Sequence, residues 1–191
     1  MNLVERAKSI IMTPKTEWPV IAAEEPDTKQ IFTGYVIPLA LIPAVASLIG
    51  HGVIGASLAR GIGMGIISFV STVLGVYLTA FVVDFLAPNF GSQKNFGRAM
   101  QLVAYAYTPA WVAGILNIVP ALGIIASLAG LYGLYLLYLG FPHTMKTPGD
   151  KVIVYLIVTI VVVIVIFMIL GAILSSIVFA MLGVGALGMR G

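Results

Sequence analysis

Asp84 is the only acidic side chain within the long apolar runs of this 191-residue sequence. A carboxylate among apolar groups must be offset by a partner or by protonation, which makes it a candidate for handling an ion or a proton. It also lies just before Pro88, where it could reach a polar boundary or pair with Lys94 or Arg98 in a purely structural role. A second candidate is Tyr105-Ala106-Tyr107-Thr108-Pro109. Pro109 has no backbone N–H, so a helix through it kinks and leaves spare polar valence, which Thr108 either satisfies or shares with an ion or polar solute. Tyr132, Tyr135 and Tyr138 recur at intervals of three, so their hydroxyls follow one slowly rotating side of a helix. They read as an interfacial aromatic belt or as the lining of a polar path. His51 and His143 fall in loops expected on opposite faces, cysteine is absent and the eight methionines are scattered, so no metal and no cofactor is expected. No nucleophile, base and orienting group fall together, and the glycine-rich pieces lack the Gly-Lys-Ser/Thr ending of a phosphate loop. An enzyme is not expected.

The elements that position these groups are long and apolar. Apolar residues make up 60% of the chain and charged residues 9%, well below the roughly 25% of soluble domains. From Val152 to Met189 there is no Asp, Glu, Lys or Arg. At about 1.5 Å per residue that stretch is longer than the roughly 30 Å of hydrocarbon in a bilayer, so it must tilt, project or break, near Gly171 or in the Gly183 to Gly188 tail. The composition predicts an all-α integral membrane protein with about five spans, near 31–50, 61–87, 98–119, 120–141 and 152–182. Residues 1–30 form a separate N-terminal segment, and residues 31–191 form one transmembrane domain. Asn117-Ile118-Val119-Pro120 must turn the chain between the third and fourth spans, since one helix across both would be about twice too long for a bilayer.

The N-terminal segment places Leu3, Val4, Ala7, Ile10 and Ile11 on one helical side and Glu5, Arg6, Lys8 and Ser9 on the other, which predicts a short amphipathic helix at the interface. Arg6, Lys8, Lys15 and Trp18 are its expected membrane-surface contacts. With five spans, Arg6, Lys8, Lys15, Lys29, Lys94, Arg98, Lys146 and Lys151 share one side, against Arg60 and Arg190 on the other. This asymmetry places the N-terminus in the cytoplasm and the C-terminus outside or in a lumen. The basic residues show no aromatic interleaving, so nucleic acid is not an expected partner. Gly61 and Gly65 have the spacing that lets helices approach closely, and Gly123, Ala126 and Gly130 repeat it in the fourth span. Such positions serve packing within the bundle or contact with a membrane-protein partner or a second copy.

Three groups of residues carry a family resemblance. They are Pro14-Lys15-Thr16-Glu17-Trp18 with Ile21, then Ala104-Tyr105-Ala106-Tyr107-Thr108-Pro109, then Tyr135-Leu136-Leu137-Tyr138-Leu139-Gly140-Phe141-Pro142. In this order they resemble the prokaryotic branch of the Yip family of Ypt-interacting membrane proteins. The resemblance implies about five spans, a cytoplasmic N-terminus and residence in a prokaryotic cytoplasmic membrane. Eukaryotic relatives act in vesicle trafficking, whereas prokaryotic ones mostly lack an assigned role; the many packing motifs and few catalytic groups of this sequence point to a scaffold, adaptor or membrane-organising role. The Asp-Leu-Tyr-Gly-Pro motif of the eukaryotic relatives is missing, so binding of Rab-type GTPases is not carried over. The competing expectation is a channel or transporter built around Asp84 and the Pro109 kink.

Overall fold

In the computed structural model, residues 2–188 are described, with the side chains of Pro120, Ala126, Ser127 and residues 173–188 excepted. The fold is all-helical, 86% helix, with no strand among the described residues. Two short helices, α1 (Leu3–Met12) and α2 (Pro14–Ala23), form a hairpin. Asn2 caps α1, its side-chain oxygen accepting from the Val4 N–H, and Pro14 starts α2 where a missing N–H costs nothing.

Five helical stretches long and apolar enough to cross a bilayer follow: Thr28–Ile54, Leu58–Phe90, Phe96–Ile118, Gly123–Thr144 and Val152–Ala172. The first comprises α3 (Thr28–Ile31), capped by Asp27, and α4 (Ile37–Leu48), with π-helical turns at Phe32–Val36 and Ile49–Ile54. The second is α5 (Leu58–Leu86) with a 3-10 tail at Ala87–Phe90. The third divides into α6 (Phe96–Ala106) and α7 (Thr108–Ala113), which ends in a 3-10 segment, Gly114–Ile118. The fourth is α8 (Gly123–Thr144) and the fifth α9 (Val152–Gly188).

The third span is the axle of the bundle. Two-thirds of its most apolar window is buried, against 17% for the fifth span, so α9 is a wall rather than a core element. Every residue of α6 from Ala99 to Ala106 is buried. Around this axle the outward faces of α5, α8 and α9 carry exposed Ile66, Ile67, Leu74, Phe81, Ile124, Leu128, Ile157 and Ile164, as hydrocarbon contact requires. Tyr155 ties α9 to α5 by donating its hydroxyl to the Val83 carbonyl.

Glycine sets the close contacts. A side chain on Gly61 would strike the Gly52 backbone and the Leu48 carbonyl, and one on Gly65 would lie 3.1 Å from the Ala44 carbonyl oxygen. Gly61 and Gly65 therefore pack the second span onto the first. Gly123 sits with a built Cβ 3.5 Å from the Asn117 side-chain oxygen. Gly130 does not follow the pattern, because nothing lies within 4 Å of the position its side chain would take. Gly133 and Gly140 take the packing role instead, the first against the Ala106 carbonyl and the second against Leu102 and Trp18. The side chain of Ala126 lies outside the described residues.

Three expectations are revised by the packing. The N-terminal segment is a hairpin docked on the bundle rather than one helix on its surface, because Ile10, Trp18 and Ile21 all enter the core. Pro109 does not kink a continuous helix: the helix stops at Tyr107 and restarts, so Pro109 occupies the first turn of α7, where its ring is tolerated. The fifth helix passes through Gly171 without a break. It also runs on past the expected span end at Leu182 and through the Gly183 to Gly188 tail, and Arg190 lies outside the described residues.

Candidate functional site

Arg6 is the most unusual group in the structure. Sequence periodicity puts it on the outer side of α1, yet only 4% of it is exposed. Its guanidinium donates from Nη1 to Glu17 at 2.5 Å and from Nη2 to Glu24, and its carbon centre stands 5.4 Å from the ring of Tyr105. Burial opposes the charge, but the hydrogen bond to Glu24 and the nearby carboxylates outweigh it, so the guanidinium pKa is raised above its ordinary value. This group fastens α1 to α2 and both to the third span. Trp18 adds packing, fully buried against Gly140 of α8, although its indole N–H finds no acceptor among the described residues.

Below the hairpin is a cavity of about 340 Å³, walled by Arg6, Glu24, Glu25, Asp27, Gln101, Tyr35 and Tyr105 among others. At its floor the rings of Tyr35 and Tyr105 meet edge to face at 4.8 Å, and the Tyr35 hydroxyl shares a 2.7 Å hydrogen bond with Thr108. Thr108 is fully buried at the break in the third span. Three residues on, Trp111 packs against both Tyr35 and Tyr107. The Tyr107 hydroxyl bonds to Thr79 of α5 at 3.0 Å.

A second cavity, about 420 Å³, is lined by residues of the second, third and fourth spans. Ser68, Ser71 and Thr72 of α5 line it with Tyr107, Trp111, Asn117 and Gly123. It holds no charged group. Tyr35 lines the first cavity and Tyr107 and Trp111 line the second, and Trp111 packs against both tyrosines.

The residues singled out from sequence fall in four places. Tyr105, Thr108 and Pro109 converge with Tyr35, and Asn117 lies in the second cavity. Tyr132 donates to the Ile11 carbonyl at 2.7 Å and fixes the tip of the N-terminal hairpin level with the middle of α8. Tyr135 lines a shallow groove with Lys15 and Thr16 at that tip, and Tyr138 is 41% exposed. Asp84 stands apart. It forms no ion pair among the described residues, one of its oxygens is buried without a partner, and Arg98 is taken up by the Glu24 carbonyl and Gln101. Of the expected surface contacts, Lys8 and Lys15 are exposed, whereas Arg6 and Trp18 face protein.

Glu17, Glu24, Tyr35, Thr79 and Gln101 carry much of this geometry and were not apparent as site residues. A signal existed for the first. Thr13-Pro14 breaks the helix between Arg6 and Glu17, so a tight hairpin would bring the two together. Gln101 and Tyr35 are polar groups within apolar stretches and could have been noted on that ground alone.

No curated protein and no solved structure matches the chain. A sequence model of the Yip1 domain does, over residues 8–171, a stretch that holds α2, all five spans and the core of both cavities. Through a match of that extent, the chain belongs to the Yip1 domain family of multi-pass membrane proteins.

Proposed function

We propose that the protein is a non-enzymatic scaffold or adaptor of the cytoplasmic membrane of a prokaryote, organising bilayer and membrane-protein partners through its N-terminal hairpin. The observation that carries this reading is the Arg6 cluster. It holds a charged, partly exposed hairpin rigidly against the bundle, so that Glu5, Lys8, Lys15 and Thr16 are presented outward on a fixed support. Anionic headgroups and acidic partner segments are the natural counterparts of Lys8 and Lys15, each such lysine contributing about 1 kcal/mol near a charged surface. The test is a Lys8→Glu/Lys15→Glu variant, scored by the anionic lipids and proteins that remain with it on purification. Loss of both supports the reading, and unchanged retention removes it.

A second reading, transport of a small solute or ion, is favoured by two polar-lined cavities whose linings are linked by the packing of Tyr35 against Trp111. The Tyr35–Thr108 pair would be the barrier between them. Proteoliposomes carrying the wild type, Thr108→Val and Asp84→Asn decide it. An ion or solute flux altered by Thr108→Val supports transport, and no flux in any of the three ends it.

A further inference from the structure

The cavity below the hairpin has more carboxylates in its wall than cations. Glu24, Glu25 and Asp27 line it with one cation, the guanidinium of Arg6, which is already paired, and the neighbouring Arg98 is taken up by the Glu24 carbonyl and Gln101. Asp27 accepts from the Gln30 N–H, and Glu25 forms no ion pair among the described residues. A second and independent observation lies deeper. Gln101 is 1% exposed and lines the cavity, and its Oε1 accepts from Arg98 Nη1 at 3.0 Å. That bond fixes which end of the amide is oxygen, so the two N–H groups lie at the other end, where they meet no acceptor among the described residues. Tyr105, 7% exposed, has its ring engaged by Arg6 while its hydroxyl makes no hydrogen bond. Both donors belong to residues that line the cavity, so an occupant that supplies acceptors pairs with them in place of water.

The occupant must carry a cation for the rim and an acceptor oxygen for the floor. A bare metal ion leaves the donors unpaired, a polyamine does the same, and an anion is repelled by the carboxylates. We infer that this cavity binds a basic peptide segment. A Lys or Arg side chain sits among Glu24, Glu25 and Asp27, and the backbone carbonyl of the same segment accepts from the Gln101 amide and the Tyr105 hydroxyl. The volume is within the range of roughly 300–1,000 Å³ typical of ligand pockets. Segments of this kind are abundant beside membrane spans, because cytoplasmic loops are rich in Lys and Arg. The inference rests on the adaptor reading and specifies the chemistry of the partner.

The experiment uses the full chain in phosphatidylcholine nanodiscs and fluorescence anisotropy of a labelled acetyl-Gly-Lys-Lys-Gly-amide, with the Gly-Glu-Glu-Gly peptide and spermidine as controls. The Lys peptide binds and the Glu peptide does not. Glu25→Gln/Asp27→Asn, in which Asn still caps the helix, weakens the Lys peptide about tenfold, and raised salt does the same. Gln101→Leu weakens the peptide about fivefold and leaves spermidine unchanged, a split that a loss of folding would not produce. Equal binding of the two peptides, or wild-type affinity in the carboxylate variant, overturns the inference. Loss of peptide binding when phosphatidylethanolamine is added to the disc also overturns it, by identifying a lipid headgroup as the occupant. Failure here with Lys8- and Lys15-dependent partners still retained refutes the peptide site alone and leaves the adaptor reading standing.

Discussion

Replacing Arg6 by Met tests whether a charge cluster, rather than apolar packing, holds the N-terminal hairpin on the bundle. The guanidinium side chain is 5% exposed and bonds two carboxylates, of which Glu17 is 11% and Glu24 43% exposed. Removing it leaves Glu17 as an uncompensated charge in a site with little water, and breaking such a buried pair costs about 3–5 kcal/mol. Glu24 adds less, since water screens it. If that energy opposes local opening of α1 and α2, their backbone amides exchange hydrogen about two to three orders of magnitude faster in Arg6→Met. Glu17→Gln keeps the Arg6–Glu24 bond and loses one charge-assisted hydrogen bond, about 1.5–3 kcal/mol. The triple variant Arg6→Met/Glu17→Gln/Glu24→Gln leaves no unpaired charge and recovers most of the loss. Mass-spectrometric hydrogen exchange on residues 3–23 in nanodiscs reads all three. Exchange in Arg6→Met within about threefold of wild type would refute the reasoning, as would a triple variant as loose as the single one.

Gly140→Leu overpacks the seat of Trp18 and loosens the hairpin by about 1–3 kcal/mol, seen as a red shift of Trp18 fluorescence in a Trp111→Phe background; Gly130→Ala, which points into open space, leaves the spectrum unchanged and helix stability equal or higher. Gly61→Val drives the second span off the first and lowers the thermal midpoint in detergent, whereas Gly63→Val, with nothing within 4 Å, does not. Tyr35→Phe and Thr108→Val, combined in a double-mutant cycle of unfolding, show a coupling of about 0.6–1.7 kcal/mol, and a coupling near zero would mean their bond carries no weight. Because the chain has no cysteine, a single Cys placed at the exposed Gln93 or Ala56 reports orientation; an impermeant thiol reagent added to intact cells labels the Ala56 position and spares Gln93.

Much of the architecture was legible because lipid imposes simple rules. Length and apolarity mark the five spans, and the spacing of Gly61 and Gly65 marks a real close approach. The N-terminal segment was less legible. Its amphipathic pattern treats Arg6 as solvent-facing, and only the partners Glu17 and Glu24, supplied after a helix break, make burial of a guanidinium affordable. Pro109 misled for a related reason. Proline inside an apolar run signals a kink, but the same residue starts a helix equally well when the preceding one ends, as it does at Tyr107. The candidate site was legible only in pieces. Tyr105 and Thr108 stand out as polar groups near a proline, whereas Tyr35 and Gln101 gain meaning from contacts between distant segments that no local pattern encodes. Gly130 matched a packing motif yet faces open space, because spacing specifies a helix side and not what lies opposite it.

The enclosure of α6 also bears on how the protein is made. A helix buried from Ala99 to Ala106 contacts protein on all sides, and its span is the least apolar of the five. Gln101 and Arg98 would be poorly tolerated by lipid without Glu24 and the hairpin beside them. The third segment is therefore a weak substrate for insertion by itself. Its stable placement waits for α8, which is synthesised later, so the third and fourth spans enter as a pair against the hairpin and first two spans already in position.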